Sequence, residues 1–501
     1  MDYAIAVIDI GMTNKKVAIY DDRLKQRDIR YHTFQPKIID SFETHDLRAM
    51  EAWFIGQLAE LAKDYPVKAI AITTHGATVV CVGKDGKPVL PCIYYTYEPG
   101  DDFHDRFYAR FGAPEELQAK TGTPKLAALI NPAKGVLFAR EQYPEQFKRT
   151  AHILQYPQYW GYRLTGKIGA ESTYMGCHGY FWDQTSHTLS SVAWDLGIAS
   201  LMPEKLNASW DILGTITTEL AQKTGLSKDV IVTMGIHDSN SSLLPHFAKK
   251  GKTGFVLNST GTWCVCMNPV EEYGFSPEEL GKVVFFNISA FGTPVKTAIF
   301  TGGQEFEIWS KTLMKIHRRE DTPPYDKERY LSVLKEKRAF LLPELTRGSG
   351  QFPQSRARVV EDGREYTYQD ISRERQRPPC FADYEASFAL LRISLVMQSL
   401  TALERTGLLP GTEVFTEGGF RKNEAYNALL SAALKDNRVF LTDVNEATAL
   451  GAAMTAKMAL TGKAMSDLSG DFELEYQEIP KIDVPELFYY REAWLRYTNQ
   501  I

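Results

Sequence analysis

The sequence predicts an α/β protein made of two domains, and three observations support this fold class. The chain has 501 residues, which is more than one hydrophobic core usually serves. Short β-prone runs alternate with stretches of helical periodicity along most of the chain. A strand, a small polar turn and a returning strand occur at residues 3–20 and again at residues 255–267. We therefore predict two domains, residues 1–247 and 248–501, each with such a hairpin near its start.

Composition and charge exclude several classes of protein. Apolar residues make up 44% of the chain and charged residues 24%, which is ordinary for a soluble globular protein. The formal net charge of -5 lacks the basic excess that a nucleic-acid binder needs. The most apolar stretch, residues 386–403, is interrupted by Arg392, and the acidic start lacks the basic flank of a signal peptide. We expect neither a nucleic-acid partner nor a membrane partner.

The cysteines indicate a reducing compartment. Six of them are scattered along the chain, with neither the spacing of a metal site nor a disulfide framework. Cys264 and Cys266 alternate along one predicted strand and therefore face the same side. Since free cysteine is commonly buried, we expect both in the core. A cytoplasmic location follows as the expectation.

The N-terminal hairpin is a candidate phosphate-binding turn. Strand 4–8 leads through Asp9-Ile10-Gly11-Met12-Thr13-Asn14 into a returning strand at 17–20. Successive backbone amides, a Thr hydroxyl and Lys15 or Lys16 can surround a phosphate group. An ordinary surface hairpin is the alternative, because a short turn with Gly is common.

A second group of polar residues follows the strand at 69–72, which comes after a covering helix at 47–61. This strand ends in Thr73-Thr74-His75-Gly76-Ala77, and the carboxyl ends of strands are where open α/β sheets bind ligands. His75 is a candidate substrate contact, with a hydrogen-bonded structural His as the alternative. The next loop offers Tyr97, Glu98 and Asp102, whose aromatic and acidic groups suit a sugar but also describe any solvated loop. Residues 104–225 are expected to form scaffold, with Gly166 ending a helix.

Asp238 occupies the central strand-to-helix turn. The apolar run 230–232 ends before Gly235, and the carboxylate of Asp238 then begins a predicted helix. The turn Ser259-Thr260-Gly261-Thr262 follows closely in sequence. A carboxylate near a hydroxyl-rich turn with Gly suggests phosphate chemistry, while a helix N-cap is the alternative.

The C-terminal part completes the α/β series. The arginine-rich stretch 346–379 is predicted to be a surface excursion with a hairpin turn at Asp362-Gly363, or else a linker. A buried helix is predicted at 386–406. The strand at 414–415 leads to Gly418-Gly419 and Asn423, where paired glycines let the backbone approach a flat ligand. The small residues of the helix at 446–453 predict tight packing on a sheet.

Together these motifs resemble the FGGY family of carbohydrate kinases, within the superfamily of sugar kinases, Hsp70 and actin. Residues 9–16 are similar to the family's first phosphate loop, 235–238 to its catalytic turn and 259–262 to its second phosphate loop. Gly418-Gly419 with Asn423, followed by 446–453, is similar to its adenosine segment. The resemblance covers nearly the whole chain. It implies two actin-like (ribonuclease H-like) ATPase domains with a central cleft.

The resemblance also implies cofactors and residue roles. ATP and Mg²⁺ are the implied cofactors, and a small-molecule sugar is the implied substrate. Asp238 would be the general base, and Asp9 would hold Mg²⁺ through water. The implied nucleotide contacts are Gly11, Met12, Thr13, Asn14, Lys16, Thr260, Gly261, Thr262, Gly302, Gly303, Gly418, Gly419 and Asn423. The implied sugar contacts are Thr74, His75, Gly76, Ala77, Tyr97, Glu98, His237 and Asp238.

Two departures and one subclass follow from the same resemblance. Met12 replaces the hydroxyl residue usual in the first loop, and residues 351–353 differ from the family signature. The segments 73–76 and 237–239 look more like rhamnulose and fuculose kinases, which phosphorylate 6-deoxy ketohexoses at the primary hydroxyl. A kinase for xylulose, ribulose, glycerol or erythritol is one alternative, and a non-catalytic ATP-binding sensor is another. A homodimer is compatible with the sequence.

Overall fold

The first half of the chain forms a mixed sheet with helices on its faces. The structure is a computed structural model that describes residues 1–444 and 446–498. The strands are β1 (Ala4–Ile10), β2 (Lys15–Asp21), β3 (Gln26–His32), β4 (Lys37–Ile39), β5 (Phe42–Thr44), β6 (Val67–Thr74), β7 (Val79–Val82), β8 (His152–Gln155), β9 (Ala170–Glu171), β10 (Trp182–Asp183), β11 (Thr188–Leu189), β12 (Leu206–Asn207), β13 (Ile212–Thr215), β14 (Ile231–Thr233) and β15 (Ile236–His237). The helices are α1 (Leu47–Leu61), α2 (Asp101–Phe111), α3 (Pro114–Thr121), α4 (Pro132–Gln142), α5 (Pro144–Phe147), α6 (Tyr156–Thr165), α7 (Ser172–Met175), α8 (Ser191–Asp195), α9 (Thr218–Thr224) and α10 (Asp238–Lys250).

The second half forms another mixed sheet. Its strands are β16 (Phe255–Thr260), β17 (Cys264–Pro269), β18 (Val284–Ile288), β19 (Pro294–Phe300), β20 (Ala339–Leu342), β21 (Arg358–Glu361), β22 (Arg364–Thr367), β23 (Glu413–Gly418), β24 (Arg438–Thr442) and β25 (Tyr476–Glu478). Its helices are α11 (Gly302–His317), α12 (Lys327–Glu336), α13 (Tyr368–Ser372), α14 (Tyr384–Arg405), α15 (Glu424–Ala433), α16 (Ala447–Thr461) and α17 (Glu486–Tyr497). Short 3₁₀ segments lie at Ala199–Leu201, Pro277–Glu279, Pro379–Ala382, Gly419–Lys422 and Met465–Leu468.

The two main sheets share one arrangement, which confirms the predicted α/β fold with a hairpin in each half. The first runs β13-β14-β6-β1-β2-β3, with β15 also paired to β6, and the second runs β18-β19-β17-β16-β23-β24-β25. In both, the first hairpin strand pairs antiparallel with the second and parallel with a strand that follows intervening helices. Strand β1 is buried along its whole length, as expected of an apolar central strand covered on both faces.

Helices α10 and α16 join the two halves. The predicted boundary at residue 247 falls inside α10, which packs against α16. Helix α16 comes from the second half but contacts β1 and β6 of the first sheet. A Cβ atom at Gly451 would lie 1.9 Å from the carbonyl oxygen of Ser241, so only Gly permits this close approach. The predicted tight packing of residues 446–453 is therefore found.

The second half buries helix α14, as predicted, and also part of the arginine-rich stretch. Residues 346–379 include the β21–β22 hairpin, whose turn at Asp362-Gly363 is confirmed, but Phe352 and Val359 are fully buried, so this stretch is part of the domain core. Helix α14 is long and apolar enough to span a membrane, yet 94% of its most apolar segment is buried inside the structure. It is thus the central helix of the second core. Cys264 and Cys266 are also buried, as predicted.

Candidate active site

Asp238 is the first residue of α10 and faces the cleft between the two halves. Gly235, with φ of 83°, turns the chain after β14, so that β15 and then α10 begin beside the end of β6. The Asp238 side chain is 26% exposed and lines a cavity of about 280 Å³. Its Oδ1 atom accepts a hydrogen bond of 2.6 Å from the backbone N–H of Ser239. The N-cap position belongs to His237, so capping does not account for the carboxylate.

The surroundings of Asp238 raise the pKa of its carboxyl group. Burial, followed by the negative charge of Asp9, raises the pKa of Asp238 to about 7, while hydrogen bonds from Ser239 act in the opposite direction. A carboxyl group with a pKa near 7 can accept a proton and release it again at neutral pH. The site therefore holds a group suited to act as a general base.

Asp9, at the end of β1, anchors a charged cluster at the junction of the two halves. Its Oδ2 atom accepts hydrogen bonds from Lys16 Nζ at 3.3 Å and from the Thr448 hydroxyl at 2.6 Å. Lys16 also forms an ion pair with Glu446, and the Tyr31 hydroxyl donates to the same carboxylate at 2.8 Å. Burial lowers the pKa of Lys16, but the two carboxylates outweigh that effect and raise the pKa.

This cluster corrects one prediction and adds one residue. The segment 446–453 is predicted beside the adenosine, but it packs on the first sheet, and Thr448 lines the cavity that contains Asp238. Tyr31 was not predicted as a site residue, and Glu446 and Thr448 were predicted only as part of the adenosine segment. The contacts join positions more than 400 residues apart, so no local pattern reveals them.

The turn between β1 and β2 presents exposed polar groups next to this cluster. Thr13 and Asn14 are exposed, and the Asn14 side chain accepts a hydrogen bond from the Thr33 hydroxyl at 3.1 Å. Lys15 is buried and donates to the carbonyl of Met12 at 2.7 Å. Burial lowers the pKa of Lys15 to about 8. Lys15 therefore stabilises the turn from its buried side, while its neighbour Lys16 faces the carboxylates of Asp9 and Glu446.

Three histidines surround the cavity floor, and two of them were predicted. The Nδ1–H of His75 donates a hydrogen bond of 2.7 Å to the Gly76 carbonyl, and its buried Nε2 has no hydrogen-bond partner among the described residues. Burial lowers the pKa of His75 to about 4. The Nε2 atom of His237 lies 3.3 Å from Oδ1 of Asp238, and burial, with His178 and His75 nearby, holds the pKa of His237 well below its ordinary value. Neutral imidazoles can each offer one donor and one acceptor to a sugar hydroxyl.

His178 is the third histidine, and sequence reasoning missed it. It follows α7 on an irregular loop and lines the cavity together with Tyr95. Burial lowers the pKa of His178 to about 4, against the effect of backbone carbonyls. A lone His in a loop has no periodicity or flanking motif, so only the fold identifies it.

Several predicted sugar contacts have other positions in the structure. Gly76 and Ala77 line the cavity, whereas Thr74 is fully buried and donates to the His75 carbonyl at 3.0 Å. Tyr97 is half-buried and packs edge-on against Phe42 at the edge of the core. The Glu98 carboxylate accepts hydrogen bonds from the backbone N–H groups of Gly100 and Ala128 and contacts His104 at 2.8 Å, and Asp102 is exposed on the first turn of α2. The predictions for Thr74, Tyr97 and Glu98 are thus corrected: these side chains stabilise the walls of the cavity.

An apolar patch forms part of the cavity wall. Phe285 and Ile299 belong to a small buried cluster, against which Ile130, Trp263 and Val265 pack. All five side chains line the cavity. The cavity therefore has a polar part, with three imidazoles and a carboxylate, and an apolar part, and the two meet where the His178 ring lies 5.9 Å from the Phe285 ring.

A second cavity, of about 410 Å³, lies in the second half. Its lining includes the predicted residues Thr260, Gly261, Thr262, Gly303, Gly419 and Asn423, and also Phe306, Glu307, Thr322, Arg392, Phe420 and Lys422. The rings of Phe306 and Phe420 are 5.8 Å apart at their centroids and provide an apolar wall. Neither ring was predicted, although Phe420 directly follows Gly418-Gly419, because Phe306 lies on α11 and only the fold brings the two rings together.

Three glycines around the second cavity have no room for a side chain. A Cβ atom at Gly303 would lie 1.9 Å from the Gly261 carbonyl oxygen, and one at Gly418, where φ is 78°, would lie 2.0 Å from the Thr260 carbonyl oxygen. Gly302 lies directly behind the lining, against the Cys264 sulfur. The backbone of three loops thus converges at the mouth of this cavity.

Thr260 and Gly261 line both cavities and so connect them. The Thr260 hydroxyl accepts a hydrogen bond from the Phe420 N–H at 2.9 Å, which fixes the turn after β16 to the second cavity. On its other side the same turn faces Asp238. A group bound in one cavity can therefore meet a group bound in the other across this turn.

The residues present fit a purine nucleotide and a magnesium ion. The second cavity combines an apolar wall with glycine backbone, and the buried Asn423 Nδ2 has no hydrogen-bond partner among the described residues, which leaves a donor for a ligand. Asp9 offers a carboxylate, the ligand type that Mg²⁺ prefers. Both described hydrogen bonds to Asp9 use Oδ2.

Known proteins share both the sequence pattern and the fold. Residues 4–245 match the N-terminal domain of the FGGY family of carbohydrate kinases, and residues 252–464 match the C-terminal domain of carbohydrate kinase FGGY. A rhamnulokinase from Halalkalibacterium halodurans is 22% identical over 296 residues, which is 56% of this chain and 60% of the relative. An L-fuculokinase from Salmonella typhi is 24% identical over 270 residues, which is 52% of this chain and 56% of the relative. The chain thus spans less than two thirds of the length of these relatives.

One solved structure covers nearly the entire chain. A carbohydrate kinase from Novosphingobium aromaticivorans superimposes with a TM-score of 0.79 at 25% identity, and the match covers 99% of this chain and 98% of that one. The two-domain α/β arrangement with a cleft is therefore shared along the whole length of the described fold.

Proposed function

Because the chain belongs to the FGGY family of carbohydrate kinases, we propose that it transfers the γ-phosphoryl group of ATP to a hydroxyl group of a small sugar. One observation carries this proposal: a general base candidate, Asp238, faces a polar cavity that shares Thr260 and Gly261 with a nucleotide-sized cavity. Phosphoryl transfer depends mainly on positioning and charge stabilisation, and two adjoining cavities provide the positioning.

The residues of the chain have distinct roles in this proposal. Asp238 accepts the proton of the attacking sugar hydroxyl, which its pKa of about 7 permits at neutral pH. Neutral His75 and His237 orient the sugar by hydrogen bonds. Thr260, Gly261 and Gly303 let the phosphates approach the backbone closely, and Phe306 with Asn423 holds the adenosine.

The metal and the nucleotide supply the remaining chemistry when they are bound. Mg²⁺, held by Asp9 through water, would neutralise phosphate charge, and ATP would supply the phosphoryl group. Lys16 lies between two carboxylates, and we propose that it turns toward the phosphates when these enter the cleft.

We further propose that the sugar is a 6-deoxy ketohexose such as L-rhamnulose or L-fuculose, phosphorylated at its primary hydroxyl. The apolar part of the cavity, with Phe285, Ile299 and Val265, suits a methyl group where most sugars have a hydroxyl. A hydroxyl placed there would lose its hydrogen bonds to water without replacement. The names of the two curated relatives, a rhamnulokinase and an L-fuculokinase, support the same substrate class.

A panel of substrates tests this proposal. ADP formation would be measured with L-rhamnulose and L-fuculose, and with xylulose, ribulose, glycerol and erythritol as controls. We expect the largest kcat/KM with a 6-deoxy ketohexose. A larger kcat/KM for one of the control compounds would mean that this ketose or polyol is the substrate, and not the deoxysugar. ATP binding without phosphorylation of any sugar in the panel would instead favour a non-catalytic sensor. The enzyme is proposed to act in the cytoplasm.

A further inference from the structure

Three metal-binding side chains meet beside the sugar cavity, although the proposed phosphoryl transfer requires no metal at that point. Cys177 and His178 follow α7, and His237 ends β15. One ligand atom from each of them, a sulfur and two nitrogens, lies within 4.8 Å of the others. The candidate magnesium ligand Asp9 belongs to a different cluster, with oxygen and ammonium groups around it.

The spacing of these atoms fits a tetrahedral metal. Cys177 Sγ and His237 Nε2 are 3.5 Å apart. Two ligands at the usual Zn–S and Zn–N bond lengths, viewed across a tetrahedral angle, lie about 3.5 Å from each other. The third ligand atom, a ring nitrogen of His178, lies within 4.8 Å of the other two. The three atoms are therefore arranged close to a coordination geometry before any ion binds.

We propose that Cys177, His178 and His237 form a site for a soft divalent cation such as Zn²⁺, and that its occupation inhibits sugar binding. A thiolate and two imidazoles select Zn²⁺ and related ions over Mg²⁺, which prefers oxygen ligands. The two imidazoles line the cavity, so water from the cavity can take a fourth position. Binding releases the thiol proton of Cys177 to solvent, since the thiolate is the ligand.

Gly76 leaves room between the two imidazole rings. A Cβ atom built at Gly76 would lie 2.9 Å from His237 Nε2 and 3.0 Å from His178 Nε2. Any side chain at this position would therefore separate the rings from an ion. Both rings also line the cavity, so an ion can enter from the cleft without opening the protein core.

Asn240 can stabilise the ring orientation that the metal requires. When Nε2 of His237 binds a metal, its proton must be on Nδ1, and metal-bound histidines usually donate that second N–H to a neighbour. Asn240 is 1% exposed, its amide lies 3.3 Å from Nδ1, and its Oδ1 atom has no hydrogen-bond partner among the described residues. A half-turn of this amide places Oδ1 as the acceptor, and the two amide orientations have the same shape.

The inhibitory effect rests on the proposed function, while metal binding does not. A cation on Nε2 of His237 would replace the contact of 3.3 Å with the Asp238 carboxylate. It would also occupy the polar part of the cavity, where the sugar hydroxyls are proposed to bind. Inhibition should therefore be competitive with the sugar, because sugar and cation need the same imidazoles, and noncompetitive with ATP, whose cavity lies beyond Thr260.

Cobalt spectroscopy tests the site without any substrate. Co²⁺ would be titrated into the reduced protein in the absence of nucleotide and sugar. We expect one equivalent to give thiolate-to-cobalt charge-transfer absorption in the near ultraviolet and tetrahedral bands in the visible region, both removed by Zn²⁺ and unaffected by Mg²⁺. A spectrum without the charge-transfer band would overturn the proposal.

A pair of variants identifies the sulfur. Cys177→Ser should reduce Zn²⁺ affinity, measured by calorimetry, by more than the ~10–100-fold typical of changing an outer partner of a metal ligand. Cys266→Ser, at a buried cysteine away from the cavity, should leave the affinity unchanged. Equal losses in both variants would contradict the assignment. If Cys177→Ser does not fold, as judged by circular dichroism, the cobalt spectrum of the unaltered protein decides alone.

Kinetics then test the inhibition separately. Initial rates with the preferred sugar would be measured at buffered free Zn²⁺ concentrations. We expect the KM for the sugar to rise while kcat remains unchanged, and we expect Cys177→Ser to resist inhibition. A fall in kcat at constant KM would overturn the competitive mechanism. Failure of the substrate panel would refute the proposed function, but the cobalt result would still stand.

Discussion

The hairpins β1–β2 and β16–β17 occupy the same place in their sheets but contribute different chemistry. The first carries Asp9 and Lys16, which form a charged cluster with Glu446. The second turns through Ser259, Thr260, Gly261 and Thr262, which have no ionisable side chains. The same backbone arrangement therefore provides charge in one half and close backbone approach in the other. Transfer of a charged group needs both, and the chain divides them between its domains.

The difference extends beyond the hairpins. In the first half, Asp238 lies close enough to Asp9 for the negative charge to raise its pKa. In the second half, Gly303 and Gly418 lie against backbone carbonyl oxygens, so neither position has room for a side chain. We therefore expect changes of charge in the first half to affect turnover, and changes of volume in the second half to affect nucleotide affinity.

Removal of the Asp238 charge should give the largest effect. Asp238→Asn keeps the shape of the side chain but cannot accept the sugar proton, so kcat should fall by at least ~10²–10⁴-fold, the usual contribution of a general base. Binding of the sugar, measured by calorimetry, should persist. The exposed Asp229→Asn is the matched control and should keep normal turnover. Turnover within a few-fold of normal in Asp238→Asn would remove this residue from the mechanism.

A methyl group at Gly303 should weaken nucleotide binding in the second half. Gly303→Ala places Cβ 1.9 Å from the Gly261 carbonyl oxygen, so the turn after β16 must move. Overpacking of this kind costs about 1–3 kcal/mol, which corresponds to roughly 10–100-fold weaker binding of a nonhydrolysable ATP analogue. Gly274→Ala, where no atom lies within 4 Å of the new Cβ, should bind normally. Unchanged nucleotide affinity in Gly303→Ala would show that backbone approach is not the function of the second hairpin.

Neutralising Glu446 should weaken the charged junction between the halves. Glu446 is 21% exposed and pairs with Lys16, which is 17% exposed. Glu446→Gln should lower the free energy of unfolding by about 1–3 kcal/mol, since the partly buried Lys16 loses one of its two charged partners and keeps only Asp9. In the exposed pair Lys63–Glu60, the change Glu60→Gln should cost less than about 1 kcal/mol. Denaturant unfolding of both variants measures the loss in free energy of unfolding. Equal losses would mean that the cluster stabilises the protein no more than an exposed ion pair does.

The sequence predicts the local parts of this site well. Helix α1 lies at the predicted residues 47–61, and α6 ends before the predicted Gly166, because periodicity and C-terminal glycine are local signals. The positions of His75, Asp238 and Thr260 at strand ends also follow from local pattern. These residues line the cleft because the carboxyl ends of neighbouring parallel strands lie at one edge of a sheet.

The remaining parts depend on contacts between distant segments or on loop geometry. Tyr95 lines the cavity while Tyr97, two residues later, packs against Phe42 at the edge of the core, and composition alone treats both rings alike. His178 and Cys177 lie on an irregular loop without periodicity. Glu446 meets Lys16 only after α16 crosses to the first sheet. Each of these positions is decided by tertiary packing, which a single sequence does not encode in a readable pattern.

The pH dependence should give the smallest but most specific effect. Since Asp238 must be ionised to accept a proton and its pKa is about 7, kcat/KM should rise with pH through this value and then level off. Ser239→Ala removes the hydroxyl that donates to Oδ1 at 3.3 Å while the backbone N–H bond remains. The ionised form loses stabilisation, so the midpoint should move to higher pH by less than about one unit.

Ser242→Ala is the control for this shift, because its hydroxyl donates to the Ser239 carbonyl at 2.8 Å and not to the carboxylate. The midpoint should then stay in place even if the rate changes. A shift to lower pH in Ser239→Ala would mean that the titrating group is not Asp238. It would also mean that the charges of the first half do not set the ionisation on which turnover depends. The direction of the pH shift in Ser239→Ala therefore tests whether the charged groups of the first half set the ionisation on which turnover depends. It does so by removing one hydrogen bond, the one from the Ser239 hydroxyl to Asp238.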